Sequence, residues 1–277
     1  MTIIDHPKEE TRLRMVFLGS SGAIQVPSFH CVCSVCQAAR ANPQHRRTRA
    51  SLALIGHETS VIDASPDIEF QLEREAIRQV NRVFITHWHF DHVWGLGLLG
   101  DAASHVSWPP IELYLPHEVT YHFDQELAYM KSRVNLHPIG PGDRFELPDA
   151  TWEVVKTTHN EHSVGFIVEA SQRFAYLVDG VTPPVQTLER LEKTNLDFVI
   201  LEATMDELDE QWWNFTVEQA VACWQQIGTE RCILTHLTCH GWKNHRLIAG
   251  LSYEERLAYE AKTPGLKFAY DGMTVIL

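Results

Sequence analysis

The sequence predicts an α/β fold in which two sheets pack face to face with helices outside, in one domain covering residues 1–277. Three observations lead to it. Short apolar runs come first and then alternate with helical patterns in two halves, the order of a layered α/β architecture. No Pro/Gly/Ser-rich linker divides the halves, and no segment repeats at a fixed period. Candidate ligand residues stand at the carboxyl ends of apolar runs instead of being scattered.

Taken in order, "RLRMVFLGSSGA" reads as a strand entering a turn at residues 19–22. "SLALIG" and "SVIDAS" flank a turn at 56–59 and read as a hairpin that ends at Asp63. "SPDIEFQLEREAI" starts like a helix, with Ser65 as cap, Pro66 at the first position, and Ile68, Leu72 and Ile77 at roughly helical spacing. "RVFITH" is an apolar strand that stops at a histidine. A Gly-rich helical segment, "VWGLGLLGDAA", then the strand "IELYLP" and a helix across "HEVTYHFDQELAYM" follow. "TWEVVKTTH", "SVGFIVEA" and "RFAYLVDG" are strands, "PPVQTLERLEKT" a helix, "LDFVILEAT" a strand and "TVEQAVACWQQIG" an amphipathic helix. The chain closes with the strand "RCILTH", a loop, a helix around "SYEERLAYEAK", and two runs, "LKFAY" and "MTVIL", that read as a buried final hairpin.

Bulk properties narrow the function. With 44% hydrophobic and 21% charged residues over 277 positions, the composition is that of a soluble globular protein. The start carries Asp5, Lys8, Glu9, Glu10, Arg12 and Arg14 where a secretory signal needs an apolar core. No apolar run approaches the roughly 20 residues of a membrane helix. The expectation is a cytoplasmic protein without a membrane partner, whose clustered thiols hold metal instead of forming disulfides. A net charge of −13 argues against a nucleic-acid partner, and the one basic stretch, "RRTR" at 46–49, reads as a solvated loop. A small anionic substrate stays open if bound cations invert the local field. Nothing in the composition decides between a monomer and a homodimer.

The strongest signal is "THWHFDHVWGL", which places His87, His89, Asp91 and His92 within six positions after an apolar strand. Neutral imidazole and carboxylate suit zinc, manganese or iron. Downstream, "TTHNEHSVGF" supplies His159 and His162, "YLVDG" supplies Asp179, and "ILTH" supplies His236. A separate cluster, Cys31, Cys33 and Cys36, lies in the loop at about 29–40. Three thiols leave one over in a disulfide scheme and lack one ligand for a tetrahedral metal.

The H-x-H-x-D-H signature with ligands at later strand ends resembles the metallo-β-lactamase superfamily, whose fold is a four-layer αββα sandwich. By that resemblance, His87, His89 and His159 bind one divalent metal, and Asp91, His92 and His236 bind a second. Asp179 bridges them. Asp63 matches a position beneath the metals where the superfamily commonly has an Asp, able to orient a ligand imidazole through its second nitrogen. Two cations about 3.5–4 Å apart share a water, lower its pKa and clamp phosphoryl oxygens. The implied reaction is hydrolysis by attack of a metal-bridging hydroxide.

Together with "LGSSGAIQVPSFHCVCSVC", the metal signature is similar to the phosphodiesterases of the carbon–phosphorus lyase pathway, which open cyclic ribose phosphates. The early Cys segment and "DASPDI" also look like the pyrroloquinoline quinone biosynthesis B proteins. The phosphodiesterase resemblance implies a structural zinc on the Cys loop, completed by Cys239 where the family has His, with His240 as the alternative. It also puts Asn214 where the family carries a His near the leaving group. Asn cannot act as a general acid, so His162 or His240 is left as substitute, unless the leaving group needs no proton donor or the substrate differs. The implied function is a dinuclear metal-dependent phosphodiesterase acting on small or cyclic phosphodiesters. The alternatives are a lactone or thioester hydrolase on the same metals, and a cofactor-biosynthesis protein of the quinone-pathway type. Of the aromatic run at 211–215, Phe215 is assigned to the core, while Trp212 and Trp213 are left between core and substrate mouth. Cys223 and Cys232 are expected to be buried apolar thiols.

Overall fold

Apolar runs assemble into two seven-stranded sheets. The computed structural model describes residues 13–106, 108–204, 214–243 and 246–277, with side chains described outside 241–249. The first sheet contains β1 (Arg14–Gly19), β2 (Ser51–Ile55), β3 (Thr59–Ile62), β4 (Arg82–Phe84), β5 (Ile111–Pro116) and β6 (Val134–Ile139) in that spatial order. The second contains β7 (Arg144–Glu146), β8 (Thr151–Lys156), β9 (Val164–Glu169), β10 (Arg173–Leu177), β11 (Phe198–Glu202) and β12 (Arg231–Thr235). A short hairpin of β13 (His240–Lys243) and β14 (Arg246–Ala249) follows. The chain ends in β15 (Leu266–Phe268) and β16 (Thr274–Ile276).

Facing side chains of the two sheets make the central core. Phe84 stacks on Trp152 at 4.0 Å and on Tyr114 at 4.3 Å, and Phe17, Ile62, Phe166, Phe174 and Ile200 fill the same layer. Outside the first sheet, α2 (Ile68–Arg74), α3 (Phe90–Val93), α4 (Leu96–His105) and α5 (Thr120–Glu126) deliver Ile68, Leu72, Val93, Leu96, Leu99 and Phe123. Outside the second, α6 (Val185–Glu192) and α7 (Val217–Ile227) bury Leu188, Leu191, Ala220 and Trp224. The four-layer αββα order expected from the sequence is therefore the order observed. Phe215, Cys223 and Cys232 are buried in the second helical layer, as expected. Among the described residues no helix is long and apolar enough to cross a membrane.

Several local expectations are corrected. The final two runs are not a hairpin: β15 extends the second sheet beside β12, and β16 joins the first sheet against β1. The link between them turns at Gly272, at a φ of +87°, and is anchored by Asp271, whose carboxylate accepts from Ser20, Thr48 and Arg74. Helix α2 begins at Ile68, and Ser65 does not cap it; its hydroxyl accepts from the Asp67 amide instead. The helix over 117–130 is broken into α5 between two short 3-10 turns. The loop at 29–40 contains a helix, α1 (Ser34–Ala41), whose amino end is capped by the Cys33 sulfur accepting from Cys36 N at 3.4 Å. The stretch "RRTR" is not a solvated loop either, because Arg47 is only 3% exposed.

Candidate metal centre

Ligand-type side chains converge because parallel strands of both sheets end on the same side. Strand β3 leads into Asp63, β4 into His87 and His89, β10 into Asp179 and β12 into His236. Helix α3 carries Asp91 and His92 back beneath the same point. It is allowed to approach by Gly95, whose amide donates to Ala64 O at 2.8 Å; a Cβ there would lie 2.1 Å from Ser65 O. His159 comes from the turn after β8.

The structure brings the sequence-predicted ligand residues together in two groups, and Asp179, Glu202 and His236 form a further one. His87, His89, His159 and Asp179 offer atoms all within 4.8 Å of one another, as do Asp91, His92 and His236. His87 Nε2 stands 2.9 Å from His89 Nδ1, and His159 Nε2 stands 3.1 Å from that same nitrogen. Asp91 Oδ2 lies 3.3 Å from His92 Nε2 and 3.5 Å from His236 Nε2. Asp179 Oδ2 reaches across, 3.5 Å from His159 Nε2 and 3.8 Å from His236 Nε2.

The donor set fits a pair of divalent cations on the structure's own terms. His92 Nε2 and His236 Nε2 are buried without a hydrogen-bond partner among the described residues, a costly state for a nitrogen that nothing fills. Burial holds His87 and His89 below the usual histidine range, in the neutral form that donates a lone pair to metal. Burial opposes a proton on His92 and His236, yet neighbouring carboxylates raise both: Asp91 and Asp63 for His92, and Asp179 and Asp91 for His236. The same carboxylates that favour a positive charge on these imidazoles favour a divalent cation beside them.

Behind the imidazoles the orientation is set twice by the same device. Asp63, fully buried, accepts from Thr86 N at 2.8 Å and from the Thr86 hydroxyl, while His92 Nδ1 lies 2.7 Å from its Oδ2. The Thr86 hydroxyl in turn lies 3.0 Å from His87 Nδ1, so Asp63 steadies one imidazole of each group. The resemblance implied that Asp63 orients a ligand imidazole, and its carboxylate is the group that meets His92 Nδ1. On the other side Glu202 does the same for His236. The Thr204 hydroxyl donates to Glu202 and stands 2.7 Å from His236 Nδ1, and Glu202 also accepts from Phe215 N at 2.7 Å. Burial, with Asp179 nearby, pushes the Glu202 carboxyl up to about 8.

Sequence reasoning missed Glu202, Thr204 and Thr86. The available signal was a carboxylate closing the otherwise apolar run "FVILE", with a Thr two positions on. Asn214 is brought to the centre, where its amide donates to Asp179 Oδ1. His162, its side chain 38% exposed, faces Glu161 Oε2 at 4.0 Å, in a turn where Asn160 Oδ1 accepts from His162 N. Trp212 and Trp213 lie outside the described residues. A cavity of about 650 Å³ opens beside His89 and His159, lined also by Lys156, Thr158, Asn160 and Pro184.

The cysteine cluster is separate. Sulfurs of Cys31, Cys33, Cys36 and Cys239 lie within 4.8 Å of one another, and the Cys31 and Cys239 sulfurs are 3.9 Å apart. Ser28 N and Cys36 N each donate to a sulfur at 3.4 Å, of Cys36 and Cys33 respectively. His240 stands just behind, with Nδ1 3.0 Å from the Cys239 sulfur and 3.8 Å from that of Cys31.

Known proteins resemble this chain in sequence and in fold. An octanoyltransferase of Porphyromonas gingivalis is 29% identical over 96% of this chain, which spans 52% of that protein. Among solved structures, a diphosphatase of the PhnP family superposes with a TM-score of 0.79 at 24% identity, covering 95% of this chain and 96% of its own. Zinc-bound PqqB of Methylobacterium extorquens gives 0.76 at 21% identity, covering 95% and 100%. At these identities the structural matches speak to fold. The profile of the beta-lactamase superfamily domain matches residues 59–237, a stretch that holds both imidazole groups and Asp179. The chain belongs to the beta-lactamase superfamily.

Proposed function

We propose that this protein is a dinuclear metal-dependent phosphodiesterase that hydrolyses small or cyclic phosphodiesters, with zinc or manganese, or iron, in the two sites. The observation that carries the reading is the pair of imidazole groups spanned by one Asp179 oxygen, with His92 Nε2 and His236 Nε2 buried and unpartnered among the described residues. When bound, two divalent cations supply an acidified water and the positive charge that stabilises a phosphoryl transition state. His87, His89, His159 and Asp179 hold the first, and Asp91, His92 and His236 the second. Two cations against the Asp91 and Asp179 carboxylates leave a net positive centre, suited to an anionic substrate in an otherwise acidic protein.

The remaining residues orient and position. Asn214 fixes Asp179 by its Oδ1 and so leaves Oδ2 directed at both groups. Asn214 donates no proton to the leaving group, so the reaction suits a leaving oxygen that needs little protonation unless a histidine such as His162 supplies one. The cavity of about 650 Å³ beside His89 and His159 has room for a small-molecule substrate. The likeness to a diphosphatase of the PhnP family agrees with phosphoryl chemistry. A third cation, zinc, is assigned to Cys31, Cys33, Cys36 and Cys239, a closed set with no position for substrate.

The test is metal analysis beside a substrate panel. About three divalent ions per chain are expected, with turnover of bis(p-nitrophenyl) phosphate and cyclic nucleotides that chelation abolishes. A second reading, hydrolysis of lactones or thioesters, is favoured by one observation, the relative named an octanoyltransferase. Activity confined to acyl substrates would replace the first reading with the second. For the cysteine site, Cys33→Ser is expected to lower unfolding free energy by about 3 kcal/mol or more while reloaded folded protein keeps most activity. Denaturant unfolding run beside an assay checks the order of those losses.

A further inference from the structure

His159 reaches the metal centre by a different route from the other imidazoles. His87 and His236 come directly after buried strands and His92 rides on α3, whereas His159 stands in the turn from β8 to β9, beyond their last paired residues, Lys156 and Val164. Backbone bonds across that turn are long: Thr157 N donates to Ser163 O and Ser163 N to Asn160 O, each at 3.4 Å. Val181 N donates to Thr158 O at 2.9 Å and so ties the near side of the turn. The far side is closed by side chains. The Ser163 hydroxyl donates to Asn160 O at 3.1 Å, and Lys156 Nζ donates to Asn160 O at 3.3 Å, to Ser163 O at 3.2 Å and to Glu161 O. An ammonium has three protons to give, and three carbonyls take them. The other end of Lys156 is fixed too, since its own carbonyl accepts from the Thr187 hydroxyl at 2.8 Å. Burial opposes the charge on this ammonium, and the Glu118 and Glu161 carboxylates favour it. Lys156 also lines the cavity beside His89 and His159, a place where a cation invites assignment to a substrate phosphate. The three carbonyls argue against that assignment.

We propose that Lys156 is a positioning residue for His159: its ammonium, occupied by the carbonyls of residues 160, 161 and 163, fixes the turn that delivers this imidazole to the first metal, and it does not contact the substrate. The inference rests on reading His159 as a ligand of a dinuclear hydrolytic centre. Asp63 and Glu202 steady imidazoles through side chains, and Lys156 steadies one through the backbone that carries it. The effect is confined to one side of the centre. Loosening the turn weakens the group of His87, His89, His159 and Asp179, while Asp91, His92 and His236 keep their own supports.

The test uses the full chain with its cysteine site already filled, and zinc competition against a chelator to resolve the two sites of the imidazole centre. Lys156→Met, which keeps an unbranched apolar stem but no donor, is expected to weaken one of the two zinc affinities about 10–100-fold, the usual cost of losing an outer support of a metal ligand. The other affinity stays near its wild-type value. With bis(p-nitrophenyl) phosphate, kcat is expected to fall while KM is unchanged. Lys156→Arg, which keeps the charge and several donors, is expected to recover most of both losses. A raised KM with unchanged kcat and unchanged zinc affinities assigns the ammonium to the substrate and overturns the proposal, as does equal weakening of both zinc sites. If Lys156→Met does not fold, Lys156→Gln goes through the same measurements, and wild-type zinc affinities there overturn the proposal too. Wild-type protein that takes up no zinc beyond the cysteine site sinks the dinuclear reading, and this inference with it. Wild-type protein that takes up both ions without hydrolysing phosphodiesters sinks only the proposed activity, and the zinc affinities alone then decide the role of Lys156.

Discussion

Replacing Asp179 with Ala is expected to reduce hydrolysis of bis(p-nitrophenyl) phosphate by more than about 100-fold and to lower the number of divalent ions retained per chain. Outer partners of metal ligands cost about 10–100-fold when removed. Asp179 stands closer than that, with one oxygen 3.5 Å from His159 Nε2 and 3.8 Å from His236 Nε2. Its loss cuts the first group to three imidazoles and removes the charge between the two groups. Asp179→Asn separates shape from charge: it keeps the size of the side chain but offers only a neutral amide, so folding should recover while metal retention does not. Asn214→Ala removes the amide held on Asp179 Oδ1 and should cost about tenfold, acting only through the carboxylate's orientation. Assays and metal analysis on the three variants give a ranking. Asn214→Ala as damaging as Asp179→Ala would falsify the assignment of Asp179 as the residue that spans both groups.

The same ranking explains what was legible in the sequence. Ligands at strand ends could be read because a buried strand is an apolar run, and a His or Asp that terminates one is conspicuous: "RVFITH", "YLVDG" and "ILTH" each show it. Glu202 escapes notice because a glutamate at the end of a strand ordinarily reads as the point where the chain meets solvent. Only the structure puts Phe215 N and the Thr204 hydroxyl on its carboxylate. β6 and β7 are hard to see because their polar and apolar residues are mixed, as in "VNLHPI" and "RFE", which suits strands toward a sheet's edge. The last two strands look like a hairpin because nothing in adjacent apolar runs says which sheet each joins. The link between them is held by Asp271, whose three partners come from positions 20, 48 and 74, out of reach of any local pattern. Arg47 reads as solvated for a related reason: its guanidinium donates to Thr238 O, a partner almost two hundred residues away that the local sequence does not reveal.

Replacing Asp63 with Ala is the other large expected effect, because this carboxylate steadies an imidazole in each group. It is fully buried, directly bonded to His92 Nδ1, and linked to His87 through Thr86. Removing it strands the Thr86 amide and the His92 nitrogen in the interior. The expected loss is about 3–5 kcal/mol of stability, as for a broken buried pair, with metal affinity down about 10–100-fold. The backbone adds a second term. Asp63 sits at a φ of +62°, a left-handed conformation that Asp and Asn tolerate better than Ala and Gly adopts freely. Three substitutions therefore divide the effect. Asn keeps the backbone preference and an oxygen for Thr86 N, but its amide nitrogen cannot accept from His92. Gly relaxes the backbone and leaves both donors unpaired. Ala suffers both losses. The expected order of stability is Asn, then Gly, then Ala, with metal affinity reduced in all three. Denaturant unfolding ranks the first quantity and zinc competition with a chelator the second. Wild-type zinc affinity in Asp63→Asn would mean that the carboxylate braces the β3 end and does not set the orientation of His92.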